Sequence, residues 1–452
     1  MSAFAAKMTD GSVVTWGAED FGGDSGAVAA QLTSGVETVY STWSAFAAKK
    51  IDGSIIAWGD ASHGGNSTIV ASYLTSGVDT IYNTDSAFAA KKRDGSVITW
   101  GYESHGGNSS SVASNLTSGV ETISSTNSAF AAKKTDGSVI TWGAELFGGD
   151  SSAVASELAS GVETIYSTKY AFAAKRMDGS MVIWGSVNSD GEFGTMLSHL
   201  PPGVELIRST ESALAAKTFK GYVITWGAHW SFGDAGGDSS SVASHLSSGV
   251  ESIYSTDYAF AAKKKDGSVI TWGSEYSGGN SSGVDPYLTS GVETIYSTGY
   301  AFAAKKTHGS VITWGSERGS GNSGGDSSSV ASQLTSGVES IYSTGHAFAA
   351  KKTDGSVVTW GDGSFGGDSS IVASNLTSGV ETIYSNWFAF AAIKTDGSVI
   401  TWGRDSFGGD SSRVASQLAT GVETTPSPIS AVAETEADGY DIPCGKLSLR
   451  YY

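Results

Sequence analysis

The sequence predicts an all-β chain of tandem repeats, each about 42 residues long, on three observations. A Trp-Gly pair recurs at a near-fixed period, an Asp-Gly pair recurs in step with it, and the composition is rich in glycine and poor in proline. Trp16, Trp58, Trp100, Trp142, Trp184 and Trp226 follow one another at intervals of 42 residues, and Trp272, Trp314, Trp360 and Trp402 continue the series at 46, 42, 46 and 42. A period of this length marks a repeat architecture and takes precedence over a domain count from length. The 60 glycines and 6 prolines suit many short strands joined by tight turns.

The copy from Ser336 to Gly379 shows the elements in order. A first strand is expected over Val338–Thr344, with Val338, Ser340 and Tyr342 on one face and Glu339 and Ile341 on the other. A second over Ala347–Lys352 meets a third over Ser356–Trp360 across Thr353-Asp354-Gly355, a hairpin signal because glycine accepts the positive φ of such turns. Lys220-Gly221 and His308-Gly309 keep the glycine without the aspartate, so backbone geometry is the constraint. Val357 and Val358 point to opposite faces, as in a strand held between two layers. The small Ala347, Ala349 and Ala350 let neighbouring sheets approach, and Phe348 and Trp360 fill the space left. A variable loop and a Gly-Gly-Asp or Gly-Gly-Asn follow. The stretch after them is expected to be a short two-turn helix with Asp368 as N-cap, Val372 and Leu376 at i and i+4, and Gly379 at its stop. Each unit buries about five large apolar side chains, on the order of 2 kcal/mol apiece. That does not offset an ordering entropy of roughly 1–2 kcal/mol per residue, so the units must stack.

The order of strand, Ala-Phe-Ala-Ala-Lys, Asp-Gly, apolar pair, Thr-Trp-Gly and glycine loop resembles the repeat of the regulator of chromosome condensation family. It also resembles that of the related propeller-type β-lactamase inhibitor proteins, from residue 3 to about residue 424. The resemblance implies a β-propeller, usually of seven blades, where this chain has ten shorter copies. It does not carry guanine-nucleotide exchange with it, since the only insertions are four residues before Gly236 and four before Gly324, too short for a projecting wedge. The expected architecture is a propeller-like toroid, with an open superhelical β-repeat solenoid as the alternative because ten blades exceed the usual range. One repeat domain is expected over 1–424: the chain enters at a second strand, and Gly421-Val422-Glu423-Thr424 supplies the missing first one. Residues 425–452 are expected to cap the array, Ala431–Ile442 forming a degenerate eleventh hairpin with Glu434 and Asp441 at packing positions.

A net charge of −18 argues against a phosphate-backbone partner, and no apolar run reaches the length of a membrane span. The N-terminus has neither a basic start nor an apolar signal core, so a cytoplasmic protein is expected unless the chain is a piece of a longer one. Cys444 is the only cysteine, which excludes an intramolecular disulfide. No cofactor or metal is expected: the seven histidines are scattered, and the nonapeptide calcium pattern is absent. Gly321-Asn322-Ser323-Gly324-Gly325 matches Gly-x-Ser-x-Gly without the strand-to-helix elbow that gives the pattern meaning. Glu37, Glu121, Glu163, Glu251 and Glu293, with Asp79, recur once per copy and fit structural pairing with the lysines.

Comparison of the copies places variation in two segments. One precedes the second strand, at Trp43, Asp85, Lys169, Glu211 and Trp387; the other follows Trp-Gly, at Phe21, His63, His105, Phe147 and Phe407. Antiparallel order puts both at one end of the strands and the Asp-Gly turns at the other. A variable face on a constant base is the layout of a binding surface, and drift in exposed loops gives the same pattern. These residues are the expected partner-binding set of a non-catalytic protein-binding scaffold. Head-to-tail self-assembly into a filament or surface layer, and glycan binding, are the alternatives.

Overall fold

The computed structural model describes residues 2–186, 203–211, 213–227, 236–316 and 322–422. The all-β repeat class holds: among the described residues there are nine three-stranded antiparallel sheets and one of two strands, each formed from consecutive strands. The chain divides into two compact units, one holding the described residues of 1–202 and 411–450, the other those of 203–410.

In the copy chosen above, the strands are Val338–Ser343, Ala347–Lys352 and Val357–Gly361. The alternation expected for the first strand is broken. Val338 and Ser340 pair with the consecutive residues Lys352 and Lys351, so Glu339 is the extra residue of a β-bulge. The bulge re-phases the strand and brings Val338 and Ile341 into one buried cluster with Phe348, Ala350, Val358 and Trp360.

That cluster packs on Ala301, Ala303 and Val311 of the preceding sheet. The opposite face of the same sheet, with Tyr342, Ala347, Ala349 and Val357, packs on Ile383, Phe390 and Trp402 of the next. Each sheet thus presents large side chains to one neighbour and small ones to the other, the large-into-small packing that a dense core requires. Val357 and Val358 face opposite layers, as expected.

The stretch after Gly-Gly-Asp is not a two-turn α-helix. Over Ser370–Asn375 it is 3-10, closed by i to i+3 bonds such as Val372 N–H to Ser369 O at 3.0 Å. Four-residue α-helices occur only at Ala155–Leu158 and Ala243–Leu246 among the described residues. Asp368 Oδ1 accepts from the Ser370 N–H at 2.9 Å and starts the turn, and Leu376 is buried beneath it.

Conserved-looking polar residues are spent on this scaffold. Asp52 Oδ1 accepts from the Ser54 N–H at 2.9 Å and its hydroxyl at 2.6 Å, so the turn uses the carboxylate as well as the glycine. The expected acid–lysine pairing is present, as in Lys133–Glu121 at 3.0 Å and Lys305–Glu293 at 3.0 Å. The adjacent lysine has a second use: Lys134 Nζ donates to Asn115 O at 3.1 Å, closing the end of the 3-10 turn. In the first unit, Thr9 N–H donates to Gly421 O at 2.8 Å and Met8 bridges Val422, matching the contacts of Ile51 with Gly35 and of Lys50 with Val36. The eleventh hairpin expected at 431–442 lies outside the described residues.

Candidate functional site

The two variable segments meet at one edge of the sheets. A threonine beside the second strand joins them: Thr126 Oγ1 donates to Phe147 O at 2.9 Å and accepts from the Ala129 N–H at 3.0 Å. The same pair of bonds recurs at Thr42, Thr84, Thr256, Thr298 and Thr344. At Asn386 the amide reproduces it, donating to Phe407 O at 2.7 Å and accepting from the Ala389 N–H at 2.9 Å.

Phe21, His63, His105, Phe147 and Phe407 each end a 3-10 turn and are half-buried. The following glycine is fixed by close approach. A Cβ on Gly106 would lie 2.5 Å from the Phe130 ring of the next repeat, and Gly106 O accepts the Trp142 indole N–H at 3.1 Å. Phe130 and Trp142 stack at 5.2 Å, and the indole bond recurs from Trp58 to Trp184 and from Trp272 to Trp402, so a Phe-Gly-Trp contact pins these turns to their neighbours. Leu214 replaces the Phe in the repeat of Trp226, whose indole has no partner among the described residues.

The other variable position forms a backbone ladder between repeats. In the first unit Trp43 N–H donates to Asp85 O (2.8 Å), Asp85 N–H to Asn127 O (2.9 Å) and Asn127 N–H to Lys169 O (3.0 Å). In the second, Glu211, Asp257, Gly299, Gly345 and Trp387 are linked the same way at 2.7 to 3.1 Å. Asp85 is 9% exposed and Trp387 8%, while Trp43, Lys169 and Glu211 are half-buried. Trp387 lies against Gly345, where a Cβ would meet the indole at 2.5 Å.

The residue after each ladder position was not singled out from sequence, and it carries the edge's aromatic surface. In the second unit Tyr258 stacks on Tyr300 (6.2 Å) and Tyr300 on His346 (5.2 Å). His346 meets Phe365 edge-on (4.4 Å), Phe365 stacks on Phe388 (5.2 Å), and Phe388 contacts Phe407 (4.5 Å). The Arg404 guanidinium lies 4.6 Å from the Phe407 centroid and 5.5 Å from that of Phe388. The first unit has two shorter groups: His63, Tyr102 and His105, with Tyr102 6.0 Å from the one histidine and 4.8 Å from the other, and Phe147 with Tyr170 at 5.3 Å. Burial holds the His346 pKa below the ordinary histidine value, with Asp362 partly opposing. Burial and the His63 charge do the same to His105.

One hydrogen bond bears on nucleophilic chemistry. Ser323 Oγ, within the Gly-x-Ser-x-Gly match, lies 3.0 Å from His346 Nδ1. Ser323 is only 5% exposed, and Asp362 Oδ1 is occupied by the Ser364 N–H and hydroxyl. A serine shielded from substrate and a histidine with no orienting carboxylate on it do not form a nucleophilic triad. Among the described residues no group of three or more His, Cys, Asp or Glu is placed to hold a metal ion, and no helix is long and apolar enough to cross a membrane.

The chain matches no protein-family model and no curated protein. Solved structures with similar repeated sheets include Prp20p from Saccharomyces cerevisiae, at 12% identity over 54% of this chain and 72% of that one, with a TM-score of 0.34. A second structure, of yeast RCC1 (Prp20) bound to Kap60, aligns at 13% identity over 68% and 75%, with a TM-score of 0.35. The CRINKLY WD40 ectodomain of the Arabidopsis thaliana receptor kinase ACR4 aligns at 16% identity over 61% and 90%, with a TM-score of 0.32. Likeness at this level says nothing of activity or partners.

Proposed function

We propose that the chain is a non-catalytic protein-binding scaffold whose variable edge is the docking surface. The observation that carries this reading is the run of rings from Tyr258 to Phe407, assembled from four consecutive repeats along one edge. Partly exposed aromatic side chains held by rigid neighbours are the residues on which protein interfaces concentrate their energy. Glycan binding is the weaker reading on the same residues. A sugar ring stacks on an open aromatic face, whereas Tyr300 is already stacked with both Tyr258 and His346.

Panning a displayed peptide library on the chain, followed by hydrogen-exchange footprinting of the selected peptides, tests this. Footprints on the ladder and the turns before Gly366 and Gly408, lost in a folded Phe388→Ser/Phe407→Ser variant, are expected. Footprints confined to the Asp-Gly turns, or a failure to enrich any peptide, would overturn the assignment.

A further inference from the structure

The two ends of the sheets differ in charge as well as in variability. In the first unit, lysines near the Asp-Gly end are engaged within the scaffold. Lys49, Lys91, Lys133 and Lys175 pair with acids at 3.0 to 3.2 Å, and Lys50, Lys92 and Lys134 cap turn carbonyls. The turns of the variable edge are acidic, although the ladder carries Lys169 and Glu19 pairs with Arg413 at 3.1 Å. The four turns 18–21, 60–63, 102–105 and 144–147 contain Glu19, Asp20, Asp60, Glu103 and Glu145 and no lysine or arginine.

Apolar surface lies among these carboxylates. Tyr102, between His63 and His105, is 46% exposed, and Leu146 beside Glu145 is 48% exposed. Two buried polar side chains at the same edge lack partners: neither side-chain atom of Asn127 nor the Ser128 hydroxyl makes a hydrogen bond, and both residues are fully buried. In the second unit the chain itself shows what such rings accept, since the Arg404 guanidinium rests on Phe388 and Phe407 beside the exposed Asp405.

We infer that the first unit's variable edge binds a cationic polypeptide segment, with arginine or lysine interspersed among apolar residues, its charges taken by Glu103 and Glu145 and its apolar side chains by Tyr102 and Leu146. Glu19 is already paired with Arg413, and Asp60 with Ser62 and His63. This inference rests on the protein-binding reading above and adds the chemistry of the partner. Charge complementarity selects the occupant: an acidic segment meets like charge in four successive turns, while a guanidinium gains both a carboxylate and a ring. Repetition matters more than any one contact, because single exposed ion pairs contribute little and several in register contribute together.

The test uses the full chain and a fluorescent twelve-residue peptide of four Arg-Ser-Leu units, with an otherwise identical peptide carrying citrulline for arginine. Fluorescence anisotropy should show saturable binding of the arginine peptide that weakens with added salt, and citrulline should reduce affinity about tenfold or more. Glu103→Lys/Glu145→Lys should weaken binding by a similar factor. Glu157→Lys/Glu381→Lys carries the same charge change away from these turns and should stay within about twofold. Glu103→Gln/Glu145→Gln, checked by circular dichroism, gives a smaller loss in the same direction and guards against a misfolded charge reversal. Equal affinity for the two peptides would overturn the inference and leave a neutral protein-binding edge standing. Absence of binding, or equal loss in both lysine variants, would overturn the inference while the library footprint decides the broader reading separately.

Discussion

The ladder residue Gly345 allows a sharp test of the edge geometry, because its lack of a side chain is required by one neighbour and not by its backbone. Its φ lies outside the left-handed region, so alanine is conformationally permitted there. A Cβ would nevertheless fall 2.5, 2.8 and 2.9 Å from three atoms of the buried Trp387 indole. Ordinary contact would require the indole to shift by roughly 1 Å, and overpacking of this kind costs about 1–3 kcal/mol. Trp387→Ala alone removes a buried tryptophan, at about 3–5 kcal/mol. In that background Gly345→Ala meets no indole and should be neutral or stabilising by about 0.4–1 kcal/mol. The two changes should therefore couple by about 1–4 kcal/mol. Urea unfolding of the four proteins measures the coupling. Exchange of the Gly345 amide, which donates to Trp387 O at 2.9 Å, reports it locally. Additive effects of Gly345→Ala and Trp387→Ala, within about 0.5 kcal/mol, would refute the packing argument.

Trp142→Phe keeps a ring on Phe130 but leaves Gly106 O without its indole donor, and should cost about 1–3 kcal/mol in denaturant unfolding. Thr126→Val loses both bonds of the hub that joins the two variable segments and should cost about as much, whereas Thr126→Asn should be close to neutral because Asn386 already fills that role. Acid should destabilise the fold. Asp10, Asp52, Asp94, Asp136, Asp178, Asp266, Asp354 and Asp396 are held below the usual carboxylate range by the serine two residues on. The stability from a depressed folded-state pKa is present above the ordinary value and lost as pH falls through the folded one. His105 and His346, held low by burial, add a loss that begins as pH drops below about 6.5, where the unfolded chain takes up protons first. Melting temperature should fall continuously from pH 7 to pH 3, and a flat profile would contradict both assignments.

The repeat class was legible because the period in Trp-Gly and Asp-Gly needs no tertiary information, and large-against-small packing could be read from Ala-Phe-Ala-Ala. The bulge at Glu339 was not legible: nothing in Val-Glu-Ser-Ile-Tyr marks an extra residue, and only pairing with Lys351 and Lys352 reveals it. The 3-10 turns were mistaken for helix because Val372 and Leu376 satisfy either period over so short a stretch. At the edge, variation marked two segments that the fold brings together, but exposure did not follow from it. Asp85 and Trp387 are held inward by bonds to residues 42 positions away, a link that local alternation cannot show. The neighbouring Tyr258, Tyr300, His346 and Phe388 were hidden by the serines that fill the same place at Ser44, Ser86 and Ser128.

Those serines indicate why the edge varies while the rest of each copy does not. At the constant positions the side chain makes the contact between repeats, as Trp142 does to Gly106 and Phe130 does against it, so a substitution breaks a joint. On the ladder the backbone makes the contact, and Trp, Asp, Asn, Lys, Glu and Gly all occur without loss of a bond. Freedom at the next position is narrower in three copies, where the row residue touches the turn residue 23 positions before it in the preceding repeat. Phe388 meets Phe365, Tyr170 meets Phe147, and His346 meets Ser323. These contacts match in kind, ring with ring and hydroxyl with imidazole, so the unit that changes is a pair split across two repeats. Moving one of these copies to another place in the array would separate its pair and leave a polar or aromatic side chain unmatched at that junction. For these copies the neighbour is specified by the edge that varies, not by the strands that repeat.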